Sequence, residues 1–330
     1  MLAALPGLSG CNAWQNMWGG GDAPEAQQAG AQQISEAQQQ RLTEAQVAKE
    51  SGDHDVALTI FQEILAENPT VTTAYLGIGD IYMVRKDYTK AEPAYSKAAR
   101  LEPRNFDAQY GHGLALQMLE RFIDAIRAYH RALTINPLSF SANLNMATSY
   151  LQIGDAESAV AFAQKAVELD PASGPARVQL GAVYEKVERN AEAIDEYLTA
   201  TELIDEPSPE LMMNLVTVLA KEKRYREAIN TAETLVDIAP SANAYERLGW
   251  AYFRLAEYDR SIAAYRLGVE MDENHWPSLN GVGVNALNAW LLSKKRDKQA
   301  AGEAKDAFRA SLRANPEQPK IIKLLTDYQL

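Results

Sequence analysis

Residues 72–105 read TTAYLGIGDIYMVRKDYTKAEPAYSKAARLEPRN, and residues 106–139 read FDAQYGHGLALQMLERFIDAIRAYHRALTINPLS. Laid one above the other, they align Ala91 with Ala125, Gly79 with Gly113, Tyr95 with Tyr129 and Pro103 with Pro137, each pair 34 residues apart. The register extends in both directions. Ala57, Ala159 and Ala193 hold the pitch; Ala228 follows after 35 residues and Ser261 after 33. A second ladder runs Gly79, Gly113, Ala147, Gly181, Val216, Gly249 and Gly283. A third runs Phe61, Tyr95, Tyr129, Tyr197 and Tyr265, with Ala163 and Ala232 on two rungs, and a fourth Pro69, Pro103, Pro137, Pro171 and Pro240. Four ladders in one register mark an internal repeat.

Each ladder has a physical reason. Counting places from residue 72, the apolar places 4, 7, 8 and 11 are Tyr75, Ile78, Gly79 and Tyr82, one face of a helix. Ala91, Tyr95 and Ala98 mark one face of a second helix. Small residues at places 8 and 20 let the two helices cross closely, and the aromatic at place 24 fills the remaining volume. Proline at place 32 cannot continue the second helix. The unit is helix, turn, helix, and neighbouring units must stack to bury both faces.

These residues resemble the tetratricopeptide repeat family over roughly residues 38–318. Eight units start near 38, 72, 106, 140, 174, 209, 242 and 276. The resemblance implies an all-α solenoid, a right-handed superhelix whose first helices line a concave groove. It further implies a non-enzymatic scaffold that binds protein or extended peptide, with no cofactor. The first unit departs from the pattern, with Arg41 and Glu44 at places that are apolar in the family. In the last unit Ala304, Phe308 and Pro316 come nine residues late, so Asn285–Lys295 reads as a lengthened first helix and turn. Residues 319–330 read as an amphipathic capping helix.

Composition narrows the function classes. Lys and Arg total 32 against 44 Asp and Glu, a formal charge of −12, which opposes nucleic acid as the main partner. One cysteine excludes an internal disulfide and any cysteine-cluster zinc site. His54, His112, His130 and His275 are scattered, with no pair at metal-ligand spacing. The pairs Gly77/Gly79, Gly111/Gly113 and Gly281/Gly283 do not complete GxGxxG and follow no strand pattern, so they read as packing glycines, with the first of each pair on the groove face. No GxSxG, HExxH or P-loop occurs, and no enzymatic activity is expected.

Residues 1–11, MLAALPGLSGC, end in Leu8-Ser9-Gly10-Cys11, which resembles a bacterial lipobox and implies lipidation of Cys11. No Lys or Arg precedes the short apolar stretch, as a start site upstream of Met1 would explain. Residues 12–37 read as a Gly, Gln and Ala-rich tether, and Trp14 and Trp18 suit a membrane interface. Asn12, where inner-membrane retention is associated with Asp, points to the outer membrane. The expected location is the bacterial envelope; a cytoplasmic adaptor is the alternative. The uncharged run Trp276–Ser293 sits on the repeat ladder and contains Asn280, Asn285 and Asn288, so it reads as a buried repeat helix rather than a span.

Places 2, 5, 6, 9, 12 and 13 of each first helix share the side opposite the packing face. Place 6 is Asn145, Gln179, Asn214 and Arg247 in four successive units, a row that could pair with the main chain of an extended peptide. This row resembles the asparagine ladder of O-linked N-acetylglucosamine transferases, although Gly fills the place in three units here. Asn214 and Arg247 match two of five positions of the chaperone-tail carboxylate clamp; Val178, Ala182 and Asn243 fail the others. Trp250 and Phe253 are aromatic where solvent is expected, and with Arg247 and Tyr110 they complete the expected partner-binding residues. Lys294, Lys295, Arg296 and Lys298 form a small basic cluster in a turn.

Overall fold

The computed structural model describes residues 34–330; Cys11, Trp14, Trp18 and most of the tether lie outside them. The described residues divide into two compact units, 34–74 and 75–330. The first holds an antiparallel pair, α1 (Glu36–Glu50) and α2 (His54–Glu67). Ser35 opens α1 with a capping box, its hydroxyl accepting from the Gln38 amide while the Gln38 side chain accepts from the Ser35 amide. Phe61 and Ile64 are fully buried in the seam. Arg41, odd by the family pattern, forks across to Glu63 at 2.8 Å and Glu67 at 2.6 Å, so its charge is carried on the surface rather than in the core.

From Tyr75 onward the second unit is a run of helix pairs. These are α3 (Thr72–Val84) with α4 (Tyr88–Leu101), α5 (Phe106–Met118) with α6 (Phe122–Ile135), and α7 (Phe140–Gln152) with α8 (Ala156–Leu169). They continue with α9 (Gly174–Lys186) and α10 (Asn190–Leu203), α11 (Pro209–Lys221) and α12 (Tyr225–Ile238), and α13 (Ala242–Arg254) and α14 (Tyr258–Met271). The run ends with α15 (Trp276–Leu292), α16 (Lys298–Ala314) and the single helix α17 (Pro319–Tyr328). The protein is an all-α solenoid, with no strand among the described residues. None of the described helices is long and apolar enough to cross a membrane.

Local chemistry sets the boundaries. Asn105, Ser139, Ser173, Ser208 and Ser241 stand before first helices, and each side chain accepts from the amide three residues on. First helices close on a left-handed residue at one recurring place: Lys86, Glu120, Gly154, Glu188, Lys223 and Ala256. Only Gly154 among these six lacks a Cβ to strain that conformation.

Packing follows a volume rule. Tyr95, Tyr129, Tyr197 and Tyr265 are buried, and each ring lies against place 8 of its own unit. A Cβ on Gly79, Gly113, Gly181 or Gly249 would sit 2.8, 2.7, 2.6 or 2.9 Å from those rings, closer than carbon atoms approach. Two of these rings also press on place 6 of the following unit: a Cβ on Gly111 would collide with Tyr95, and one on Gly281 with Tyr265. These two glycines are therefore buried packing positions, which corrects the expectation from sequence. Where the ring is missing, at Ala163 and Ala232, place 8 grows to Ala147 and Val216, and the next place 6 grows to Gln179 and Arg247.

Candidate protein-interaction cleft

The place-6 side chains do not form one uniform row. Asn145 is half-buried and its Nδ2 donates to the Tyr110 hydroxyl at 3.1 Å. Tyr110 in turn stacks on Phe106, with ring centres 5.7 Å apart, and lies 5.9 Å from Tyr129. Asn214 is half-buried, and the Tyr197 hydroxyl donates to Glu185 Oε2 at 3.5 Å. Gln179, opposite the missing ring, has a buried Nε2 with no partner. Arg247 is the exposed member, its side chain 44% accessible, and its Nε lies 3.5 Å from Glu246 Oε2. Thus Tyr110 and Asn145 come together across α5 and α7, whereas Gln179 and Asn214 stand apart from them.

Arg247, Trp250 and Phe253 do converge. They lie on α13 and line a cleft of about 630 Å³ whose other wall is α15, with Trp276, Asn280 and Asn285. The Trp250 ring meets Tyr225 edge-on at 5.6 Å and the Arg254 guanidinium at 5.7 Å. Phe253 meets Tyr258 edge-on at 5.4 Å. Both rings are half-buried, held from behind and open toward the cleft. His275 ties the walls together, its Nε2 2.9 Å from Asn243 Oδ1 on α13 and its Nδ1 2.8 Å from Ser278 Oγ on α15.

Burial holds the Glu246 carboxyl above the ordinary carboxylate range, against the opposing pull of Arg247. Between the unfolded and folded values, the native state binds more protons than the unfolded chain. This group's contribution to stability therefore falls as pH rises through that window. Glu246→Gln is accordingly expected to melt above the parent near pH 7, with the gap closing as pH drops below the ordinary carboxylate value. Circular dichroism melts across that range would check it; a gap independent of pH would contradict the assignment.

Trp276, Asn280 and Tyr265 were not anticipated in this cleft. The available signal was indirect: the unit starting at 242 carries aromatics at places 9 and 12, where the other units carry none. Elsewhere, His112 is half-buried with Nε2 3.1 Å from Glu92, and desolvation holds it below the usual histidine value. The basic cluster Lys294–Lys298 lies at the exposed α15–α16 turn and the start of α16, with Lys295 Nζ 5.3 Å from the Trp290 ring. Among the described residues no group of three or more His, Cys, Asp or Glu is placed to hold a metal.

Tetratricopeptide repeat profiles match residues 42–108, 110–174 and 242–275, together half of the chain. The chain belongs to the tetratricopeptide repeat family. Heat shock protein STI1 of Saccharomyces cerevisiae is 27% identical over 146 residues, which is 42% of this chain and spans only 23% of that protein. Among solved structures, YrrB, described as a TPR protein with an unusual peptide-binding site, matches with TM-score 0.51 and 21% identity, covering 61% of this chain and 99% of YrrB. PilW, described as a widely conserved type IV pilus biogenesis factor, matches with TM-score 0.52 and 17% identity, covering 62% of this chain and 94% of PilW. At these identities the two structures establish the fold alone. As a tetratricopeptide repeat protein the chain is a scaffold for protein interactions.

Proposed function

We propose that this tetratricopeptide protein is a non-enzymatic assembly factor of the bacterial envelope, tethered through a lipid on Cys11, that docks a protein or extended peptide between α13 and α15. The docking half is carried by the cleft itself. Trp250 and Phe253 put aromatic rings at places that carry none in the other units and stand beside Arg247, and aromatic and Arg side chains are the types that dominate interface energetics. The anchoring half rests on Leu8-Ser9-Gly10-Cys11 and the low-complexity stretch behind it. The shared fold of PilW, described as a pilus biogenesis factor, favours an assembly role. The alternatives are a cytoplasmic adaptor or an accessory subunit presenting substrate to a separate enzyme.

Labelling the native host with radioactive palmitate tests the anchor: label on the parent and none on Cys11→Ala is expected. An unlabelled, soluble parent would favour the cytoplasmic adaptor. For docking, Trp250→Ala combined with Phe253→Ala is expected to weaken capture of the native partner by more than about 2 kcal/mol, roughly thirtyfold. Unchanged capture with unchanged helicity would move the interface elsewhere on the solenoid.

A further inference from the structure

The polar groups of the α13–α15 cleft are unbalanced in a way that specifies a ligand. In other units the buried ladder tyrosine donates to its own first helix: Tyr95 to Asp80 at 2.6 Å, Tyr129 to Gln117 at 2.7 Å. In this unit the corresponding places are Trp250 and Phe253, and no group among the described residues bonds the Tyr265 hydroxyl. Asn285, 4% exposed, spends its Nδ2 on Ser261 Oγ at 3.0 Å and the Gly281 carbonyl at 2.9 Å. Asn280 spends its Nδ2 on Gln318 Oε1 at 2.7 Å. Gln318 Nε2 meanwhile donates to the Ser311 and Asn315 carbonyls, which fixes both amide orientations. The oxygens Asn280 Oδ1 and Asn285 Oδ1 are left buried without a donor. Among the described residues Glu246 makes no hydrogen bond, and its one ion contact is the 3.5 Å approach of Arg247 Nε.

The cleft is thus lined by a carboxylate residue, by two asparagines whose amide oxygens are buried without a donor, and by a tyrosine with a free phenol, between aromatic walls. Buried acceptors without donors are costly and are relieved by a group that brings N–H bonds. Arg254, which also lines the cleft, is engaged elsewhere: its Nε and Nη2 lie 3.1 and 2.8 Å from the Tyr225 hydroxyl. Arg247 is mostly outside, at the rim.

Building on the docking reading above, we infer that this cleft receives an arginine side chain from the partner segment, its guanidinium bonded to Glu246 and the amide oxygens and its face on Trp250. A guanidinium carries five donors and no acceptor, and it stacks on indole. The chain's formal charge of −12 attracts a basic segment over distance.

A short-peptide library displayed on phage, selected on the full chain, tests this. Arginine-containing sequences are expected to be enriched. In the selected peptides, replacing that arginine with citrulline, which has the same shape and no charge, is expected to weaken binding about tenfold or more. Glu246→Gln in the protein should do the same, with helicity retained, and lysine peptides should bind less well because they lack the planar fork. Enriched acidic peptides that survive Glu246→Gln and depend on Arg247 would overturn the inference in favour of a carboxylate ligand. Failure to select any peptide would also overturn it. If the native partner is then still captured through Trp250 and Phe253, the docking reading stands; if it is captured without them, both fall.

Discussion

Gly111→Gln is expected to melt well below the parent, and adding Tyr95→Ala to it is expected to return part of the loss. Any Cβ at residue 111 collides with the Tyr95 ring, which is 5% exposed and pinned from its other side by Gly79. Overpacking of this kind costs about 1–3 kcal/mol and at times more. The loss has to outweigh the roughly 1 kcal/mol of helix propensity gained by replacing glycine. Tyr95→Ala alone is expected to cost about 3–5 kcal/mol, as deletion of a buried ring does. The double variant recreates the combination already present where Ala163 faces Gln179, so the two changes should couple favourably by about 1–3 kcal/mol. Denaturant unfolding of the four chains, with hydrogen exchange of α4 and α5 amides, measures this. Additivity within about 0.5 kcal/mol would mean that the ring and place 6 do not share one volume.

That coupling also marks where the sequence stops being readable. The pitch of 34 residues, the small places and the proline stops were legible because each repeats down the chain, and they led to the all-α solenoid. Place 6 was misjudged at Gly111 and Gly281. Helical periodicity assigns a residue to a face of its own helix, but the neighbour that decides its burial is the ring of the preceding unit. A partial clue was present: the rungs Ala163 and Ala232 coincide with Ala147 and Val216 at place 8, where the four tyrosine rungs go with glycine. Reading ladders one at a time hides it.

The cleft was partly legible. Trp250 and Phe253 stood out as aromatics at wet places, and Arg247 beside them. Tyr265, Asn280 and Asn285 did not, because each looked like an ordinary member of a repeat helix. Their significance lies in partners that are absent or nonrepeating. Ser261 occupies an alanine rung, and its hydroxyl donates to the Gly249 carbonyl at 2.8 Å while accepting from Asn285. This local exchange of an alanine for a serine gives the buried Asn285 a partner, and no single-unit pattern contains it.

Gln318→Ala is expected to loosen α17 and the end of α16 by about 2–4 kcal/mol, a large effect for one side chain at the edge of the array. Gln318 is 8% exposed. Its Nε2 donates to the Ser311 carbonyl at 3.1 Å, Ser311 Oγ at 2.9 Å and the Asn315 carbonyl at 2.8 Å, and its Oε1 accepts from Asn280. Truncation orphans several of these groups at once in a buried setting, whereas the apolar contacts of Ile321 with the cluster around Phe308 stay in place. Because repeat arrays are held by nearest-neighbour interfaces, the loss should stay local: α16 and α17 amides exchange faster while α5 and α6 keep their protection. Asn280 also lines the interaction cleft, so releasing it should weaken the arginine-containing peptides without touching Glu246 or Trp250. Unchanged exchange in α17 would show that the apolar cluster alone holds the cap, and that the amide network is incidental to it.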